Sequence, residues 1–578
     1  MKIIKMLLLI TPLFSLISII LTGCHSQSSV EVVLKPQKTP PNILWLVVED
    51  MSPYLSMYGD STVSTPAIHS LAKEGITFTQ VFSPSGVCAP SRAAIATGLY
   101  PSSFGANHMR TTSNTKETGL PKYEAVPPEN ARMLSQYMRK KGYYTTNNYK
   151  TDYQFKAPAS AWHDSSTTAH WRNRPKDMPF FSVINFTTTH ESGLFEPYGI
   201  RHIEARHGLA YDKASVAALP SGKTSHEKTP VHISQQTRFT PPPYLPDTPE
   251  VQRDLWKMYN NIIETDKQIA SVLKQLQQDN IMDNTIIIFY ADHGGPLPRQ
   301  KRLIYDSGLR VPFIIRYPDG RLAGTQDDRL ISFIDFLPTT LGLVGGSIPK
   351  HLHGKNIFDT KSQRQYIHAA ADRFDGFTDT IRAVRDKRFK YIRNYRPQQG
   401  YYLPVVYREK IPTMRALLRL KKEGGLTPEQ AQWFRSSKPE EELFDTLNDP
   451  HELVNLANTP AYQADLKRFR HEMDRWLQEI DDNPLLPERK LIDRLWAGSQ
   501  VQPVTLSPIV SIKNDVITLQ NQTQGAVLEY RNVKARDKGQ KKWLPWPGSF
   551  RHTASEKLEV RAHRIGYIPS SITPIHSH

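Results

Sequence analysis

In Asn42-Ile43-Leu44-Trp45-Leu46-Val47-Val48-Glu49-Asp50, the run from Ile43 to Val48 is continuously apolar and ends abruptly on two carboxylates. A continuous apolar stretch of this length suits a strand buried on both faces of a parallel sheet. The pattern recurs twice. Thr285-Ile-Ile-Ile-Phe-Tyr290 leads to Asp292-His293-Gly294-Gly295, and Phe180-Phe-Ser-Val-Ile-Asn-Phe186 runs into Thr187-Thr188-Thr189-His190. Residues 65–74 and 250–278 read as helices between such strands. Alternating strands and helices predict an α/β sheet, and ligands of such sheets collect at the carboxyl ends of the strands. The polar residues closing these three strands are therefore candidates for one site. Glu49, Asp50 and Asp292 would repel one another unless a cation lay among them, and oxygen donors suit Ca²⁺ or Mg²⁺. The alternative is that they simply end their strands in solvent.

Cys88-Ala89-Pro90-Ser91-Arg92 follows a loop-like run, Ser83-Pro84-Ser85-Gly86-Val87, and precedes the helical Ala93-Ala94-Ile95-Ala96. A thiol at a helix start beside a cation is placed for reactivity. A buried, inert cysteine is the alternative on position alone. Cys88-x-Pro-Ser-Arg92, with Thr97-Gly98-Leu99-Tyr100-Pro101 in register, resembles the signature of the type I sulfatases of the alkaline phosphatase superfamily. In that family the signature directs oxidation of the cysteine to formylglycine. The hydrated aldehyde attacks sulfur through one hydroxyl, and loss of the proton of the other later expels sulfate, so one hard displacement becomes two easier ones.

The resemblance extends over residues 40 to 460. It implies a large mixed sheet flanked by helices, a smaller antiparallel-sheet subdomain, and a metal held by Glu49, Asp50, Asp292, His293 and the modified Cys88. Glu49 is longer than the usual aspartate, and the His293 imidazole is softer than the usual amide oxygen. Lys150 fits the family lysine of Gly-Lys-Trp-His, but Asp152 stands where the histidine is expected. The resemblance makes Asp152 a candidate base for sulfate departure. His190 matches the histidine on the leaving-group side, and Lys301, in Lys301-Arg302-Leu303-Ile304-Tyr305, matches a lysine that meets the sulfate. Lys150, Lys301, Arg92 and the cation would neutralise the sulfuryl oxygens, as cations do in phosphoryl transfer. Asn107, His108, Arg110, Trp162, Asp372 and Arg373 are candidates for contacting substrate, because aromatic, basic and carboxylate groups hold sugars.

Residues 1–24 combine a basic start, an apolar core and Leu21-Thr22-Gly23-Cys24, which resembles a bacterial lipobox. This predicts export, with lipid on Cys24 tethering the chain in the periplasm, at the outer membrane or at the cell surface. An uncleaved anchor helix is the alternative. Residues 25–40 read as a polar tether. With two cysteines in 578 residues, and Cys24 lipidated, no disulfide is expected, so the core must hold the protein. Residues 41–370 are expected to form the catalytic subdomain and 371–497 a C-terminal subdomain, with 381–395 one of its strands and 459–482 an amphipathic helix. The short-strand texture of 500–578 resembles the small β-sandwich appended to some hexosaminidases and sulfatases, here read as a spacer. The stretch 200–240, with four histidines, reads as an inserted loop.

Lysine plus arginine number 73 against 56 acidic residues, a formal charge of +17. Such an excess suits anionic partners, and export together with the absence of a nucleic-acid motif turns the expectation from nucleic acid toward sulfated polysaccharide. The expected function is thus an exported carbohydrate sulfatase matured by a formylglycine-installing enzyme. A phosphodiester or phosphonate hydrolase on the same fold, or a non-catalytic glycan-binding lipoprotein, are the alternatives.

Overall fold

The computed structural model describes residues 40–196, 200–202, 226–228, 231–535, 542–551 and 556–575. The expected leader with Cys24, the expected tether up to residue 39 and most of the 200–240 stretch lie outside the described residues. Eight strands form the principal sheet: β1 (Asn42–Val48), β2 (Gly75–Phe78), β3 (Tyr144–Asn148), β4 (Asp164–Ser165), β5 (Phe180–Phe186), β6 (Thr285–Ala291), β7 (Phe313–Arg316) and β8 (Thr325–Asp327), in the order β8-β2-β7-β6-β1-β5-β3-β4. The run β6-β1-β5-β3-β4 is parallel, whereas β7 runs antiparallel between β6 and β2.

The three apolar runs become the three central strands because every residue in them is buried. Trp45 on β1 sets its ring edge-on to Phe181 of β5 and Tyr290 of β6, with centroids 5.2 and 5.5 Å away, in the offset geometry aromatic rings prefer. Register then decides where the polar ends fall. Val48 lies opposite Phe186 on one side and Ala291 on the other, so Glu49, Thr187 and Asp292 emerge level with one another.

Helices α1 (Pro66–Glu74), α2 (Cys88–Thr97) and α3 (Pro249–Gln278) cover the sheet. α1 and α3 each begin on a proline, whose missing N–H costs nothing at a helix start. The Thr248 hydroxyl caps α3 by accepting from Val251 N. α2 ends where Gly98 turns left-handed at φ 70° and donates its N–H to Ala94 O.

A second, four-stranded antiparallel sheet holds β9 (Ile367–Ala371), β10 (Ile381–Arg385), β11 (Phe389–Asn394) and β12 (Glu441–Asp445). The single strand expected over 381–395 is instead a hairpin. Asp386 makes the turn by accepting from Arg388 N and Phe389 N at 2.8 and 2.6 Å. Helix α4 (Gln463–Glu479) buries Leu466, Phe469, Met473 and Trp476, a helical stripe, in the core it shares with Val384 and Tyr391 of that sheet.

The described residues between 509 and 575 form two antiparallel sheets, of three and four strands, that share a small core of Ile517, Leu519, Leu558, Val560 and Ile575. They do more than space the chain. Ile565 packs with Tyr153, Phe155 and Ala161, and buried Glu529 accepts from Ser160 N at 2.6 Å. The C-terminal sheets therefore brace the loop that follows Asp152.

Candidate active site

Four neighbouring strands and one helix converge at the carboxyl edge of the principal sheet. β1 delivers Glu49 and Asp50, β6 delivers Asp292 and His293, β5 leads to His190 and Glu191, and β3 leads to Lys150 and Asp152. Helix α2 brings Cys88 at its first turn, with Ser91 and Arg92 three and four residues on and hence on the same face. Ser91 Oγ donates to the Asp292 carbonyl, which fixes the helix on the end of β6. The loop after β6 turns beneath Cys88 because glycine permits it. A Cβ on Gly86 would lie 2.4 Å from Leu303 O, and Arg302 N donates to Gly86 O at 2.7 Å. This contact brings Lys301 to the site.

The acidic groups are interleaved with cations. Lys150 Nζ lies 2.7 Å from Glu49 Oε1 and 3.5 Å from Asp152 Oδ2. Lys301 Nζ lies 2.6 Å from Asp50 Oδ2 and 3.3 Å from Glu191 Oε1. Arg302 closes two hydrogen bonds on Glu191, at 2.8 and 2.6 Å, and so leaves Lys301 aimed at Asp50. Burial disfavours the ammonium of Lys301, but Asp50, the Cys88 thiolate and Glu191 outweigh it and hold its pKa well above the usual value. Mutual repulsion among carboxylates is thus already met by side chains, so charge count alone does not call for a metal.

The donor geometry does. Among the described residues, Asp50, Cys88, Asp292 and His293 place one ligand atom each within 4.8 Å of the others, all buried. Bonds of 2.0–2.6 Å to one central ion would give separations up to about that size. His293 Nε2 lies 3.0 Å from Asp50 Oδ1, 3.7 Å from Asp292 Oδ1 and 3.3 Å from Cys88 Sγ. Asp50 Oδ1 is fully buried, and the polar group that meets it is His293 Nε2, itself a candidate ligand. These residues fit a divalent cation. Glu49 stands apart from this set and groups instead with Asp50 and His190, so of the five expected ligands it is the one turned toward Lys150.

Burial alone would raise the Cys88 pKa, but Lys301 and Lys150 bring it down to about 6, which favours thiolate at neutral pH. His190 Nδ1 accepts from Ser192 N at 3.3 Å and meets Ser192 Oγ at 2.8 Å, an arrangement that fixes the ring. Burial and Lys301 oppose protonation of His190, yet Asp50, Cys88 and Glu49 raise its pKa. Asp152 is exposed at the mouth, in a left-handed conformation at φ 47°. Burial would raise its pKa, but Lys150, Arg92 and Arg110 keep it low, so it carries its charge.

Residues 41–346 match the sulfatase family, and residues 299–410 match the C-terminal region of N-sulphoglucosamine sulphohydrolase. Over 542 residues the chain is 59% identical to an ulvan-active sulfatase of Formosa agariphila, covering 93% of this chain and 91% of that protein. The chain belongs to the sulfatase family. It is an enzyme that hydrolyses sulfate esters. This sulfatase is also 23% identical over 487 residues to the human N-sulphoglucosamine sulphohydrolase, across 77% of this chain and 91% of that one. The solved structure of a 2-O GAG sulfatase superposes with a TM-score of 0.53 at 19% identity, covering 77% of this chain and 93% of the other, and shares the fold.

Several expectations for the sulfatase change in the structure. Arg92 is engaged by groups of the protein itself. Its guanidinium donates to Asp292 (3.1 Å), Asn185 (2.7 Å) and Glu49 (3.4 Å), so it positions carboxylates. Arg373 is 3% exposed and bonded to Glu488 and Met109 O, which makes it a buried strut and not a sugar contact. Trp162 stacks on Phe181 at 5.8 Å and lines a small cavity of about 40 Å³ behind Lys150, facing inward. Asn107, His108 and Asp372 line a different cavity. Arg110 alone of the six is half exposed, beside Asp375 and close enough to influence Asp152. Three residues at the site carry no signal that singled them out in the sequence: Glu191, which meets Lys301, Asn185, which accepts from Arg92, and Arg302, which binds Glu191.

Proposed function

We propose that this sulfatase removes sulfate from a sulfated oligosaccharide cut from ulvan, with Cys88 matured to formylglycine. The observation that carries the chemistry is the placement of Cys88 at a helix start, between two lysines and the Asp50–Asp292–His293 cluster. The 59% identity to an ulvan-active sulfatase carries the substrate class. Formylglycine would supply a hydrated aldehyde as nucleophile. Asp50, Asp292, His293 and the oxygen that replaces Cys88 Sγ would hold a Ca²⁺ or Mg²⁺ ion, which would supply positive charge against the sulfate oxygens. Maturation replaces a soft sulfur donor with a hard oxygen, and this favours those ions.

Lys150 and Lys301 then bind the remaining sulfuryl oxygens, where charge builds in the transition state. His190, its ring fixed by Ser192, donates a proton to the leaving sugar oxygen through Nε2. Asp152, charged and held by Lys150, takes a hydroxyl proton as sulfate departs. Glu191 and Arg302 keep Lys301 in line. The joint presence of these groups argues against a decayed, non-catalytic scaffold. Sulfate release from defined oligosaccharides, followed by ion chromatography, tests the substrate. Release from ulvan fragments is expected. Release only from fragments of other polysaccharides would overturn the substrate class, and release from none would overturn the activity.

Metal removal has a direct readout. Dialysis against a chelator should lower the melting temperature and cut turnover at least tenfold, and Ca²⁺ or Mg²⁺ should restore both. Unchanged melting and rate, with no metal by elemental analysis, would argue against the cation.

The leader and Leu21-Thr22-Gly23-Cys24 support export and lipid attachment in a Gram-negative-type bacterium. Cys24→Ser expressed with its leader should move from the membrane to the soluble fraction. Retention at the membrane with an uncleaved leader would favour an anchor helix.

A further inference from the structure

On the His190 side, exposure rises step by step from the buried cluster to solvent. Asp50, Glu191 and Lys301 are buried, His190 and Ser192 are half-buried, and beyond them come the half-buried rings of Phe195 and Tyr407 and the exposed Lys410. Phe195 belongs to the turn that carries His190 away from β5. Tyr407 and Lys410 arrive from the chain between β11 and β12, on and just after a four-residue helix, Val406–Glu409. The Tyr407 ring lies 6.4 Å from that of His190, centroid to centroid, and sits edge-on to Phe195 at 5.0 Å. Burial and the nearby Glu191 raise the Tyr407 pKa, against Lys301 and a hydrogen bond with Ser192. Ser192 is also the residue whose hydroxyl meets His190 Nδ1. Tyr407 thus reaches the catalytic groups from a part of the chain far from them in sequence.

The short helix is pinned from behind. Arg408 is buried, donates to the Leu403 carbonyl, and lies over the rings of Trp433 and Tyr402 at 4.7 and 5.5 Å. The carboxylates of this rim are already engaged. Arg302 and Lys301 take Glu191, Arg253 and Arg415 take Glu196 at 2.8 and 2.7 Å, and Glu409 accepts from the Tyr402 hydroxyl. Lys410 is left over. Among the described residues its ammonium meets no carboxylate and no hydrogen-bond acceptor, and lies over the Tyr407 and Phe195 rings at 5.4 and 5.8 Å. Ordinarily such a lysine is only solvated. Its place sets it apart, since the rings beneath it wall the side of the site where His190 stands.

We propose that Tyr407, Phe195 and Lys410 form the subsite for the sugar whose oxygen leaves the sulfate, with the two rings against its C–H face and Lys410 reading an anionic group on it. The inference deepens the proposed function and rests on its assignment of His190 to the leaving oxygen. A pyranose bonded to that oxygen extends from His190 toward solvent, and Tyr407 is the ring beside that path. Lysine is a point charge with no preferred fork geometry, so it accepts a carboxylate or a second sulfate alike. The subsite therefore selects anionic over neutral leaving sugars.

The test follows sulfate release from ulvan fragments by the parent, Lys410→Met, Lys410→Arg and Tyr407→Ala. Lys421→Met is the control, because Lys421 also lies over two rings, Tyr402 and Phe434, which do not touch the catalytic groups. Lys410→Met should lose roughly tenfold in kcat/KM, the scale of one charge-assisted contact, and the loss should fall on KM. Its rate should also respond less to added NaCl than the parent's. Lys410→Arg should recover most of the loss, Tyr407→Ala should lose at least as much as Lys410→Met, again in KM, and Lys421→Met should match the parent. Repeating the assay after chemical reduction of any carboxylates in the fragments identifies the anion. A parent that falls to the Lys410→Met level reads a carboxylate, and a parent that keeps its advantage reads a second sulfate. Lys410→Met equal to the parent, a loss confined to kcat, or an equal loss in Lys421→Met would overturn the subsite while sulfate release continues. A parent that releases no sulfate overturns the proposed function, and this inference with it.

Discussion

Cys88→Ala is expected to give a folded protein whose turnover is down on the order of 10⁵–10⁶-fold, the scale seen when a nucleophile is deleted. The thiol is 2% exposed and meets His293 Nε2 at 3.3 Å. Removing one small group from that wall costs stability of about 1 kcal/mol, typical of a single substitution. Helix α2 does not depend on the thiol either. It is held by its buried face, by the Ser91 bond to the Asp292 carbonyl and by the left-handed Gly98 turn. Far-ultraviolet circular dichroism and the denaturant midpoint should therefore track the parent, while the sulfate-release rate collapses. A folded alanine variant retaining a tenth of the parent rate would mean that the nucleophile lies elsewhere.

Lys301→Met has the next largest effect, and it falls on both stability and rate. Lys301 is buried between Asp50 and Glu191, and methionine matches its length without its charge. Leaving a buried carboxylate without its partner costs about 3–5 kcal/mol. Arg302 still compensates Glu191, so the loss concentrates on Asp50. Turnover should fall roughly 10²–10³-fold, the scale for removing one donor to a charged transition state. The two effects separate by measurement: the denaturant midpoint reads the first, and the rate at saturating substrate, under conditions where the variant is folded, reads the second. Arg302→Met should share the loss of stability but retain more of the rate, since it acts through Glu191. Equal rate losses in both variants would remove Lys301 from direct contact with sulfate.

The central strands were legible because each is buried on both faces and so carries an unbroken apolar run. Expected and observed limits coincide at β5 and differ by one residue at β1 and β6. Register then did what no local signal could. It set Glu49 and Asp292 level, and the resemblance around Cys88 named what meets them. The sheet over 381–394 was half legible, since alternation shows a strand but Asp386, one turn residue among several charges, does not announce a hairpin. The expected sugar contacts fared worst. Arg373, Asp372 and Trp162 are of the right chemical type, but whether such a side chain faces a ligand or an internal partner depends on contacts hundreds of residues away, such as Glu488 for Arg373. Glu191 and Arg302 were missed for the same reason. Each stands next to a recognised residue, His190 or Lys301, and that adjacency was the only cue.

At the metal site, distances decide what charge does not. Three carboxylates in order suggest a cation by repulsion, yet Lys150, Lys301 and Arg92 satisfy that repulsion themselves. What remains is the convergence of four buried donor atoms. Had the lysines been absent, the charge argument would have sufficed; with them present, only the distances decide.

The central claim is that Cys88 is converted to formylglycine. Peptide mass spectrometry of the protein, isolated from a host that carries the maturation enzyme and shown to release sulfate, tests it most directly. The account predicts that the peptide spanning Ser83 to Arg92 carries the mass of formylglycine at position 88, and that the modified fraction scales with specific activity across preparations. A fully active preparation whose peptide retains an unmodified cysteine at position 88 would contradict it.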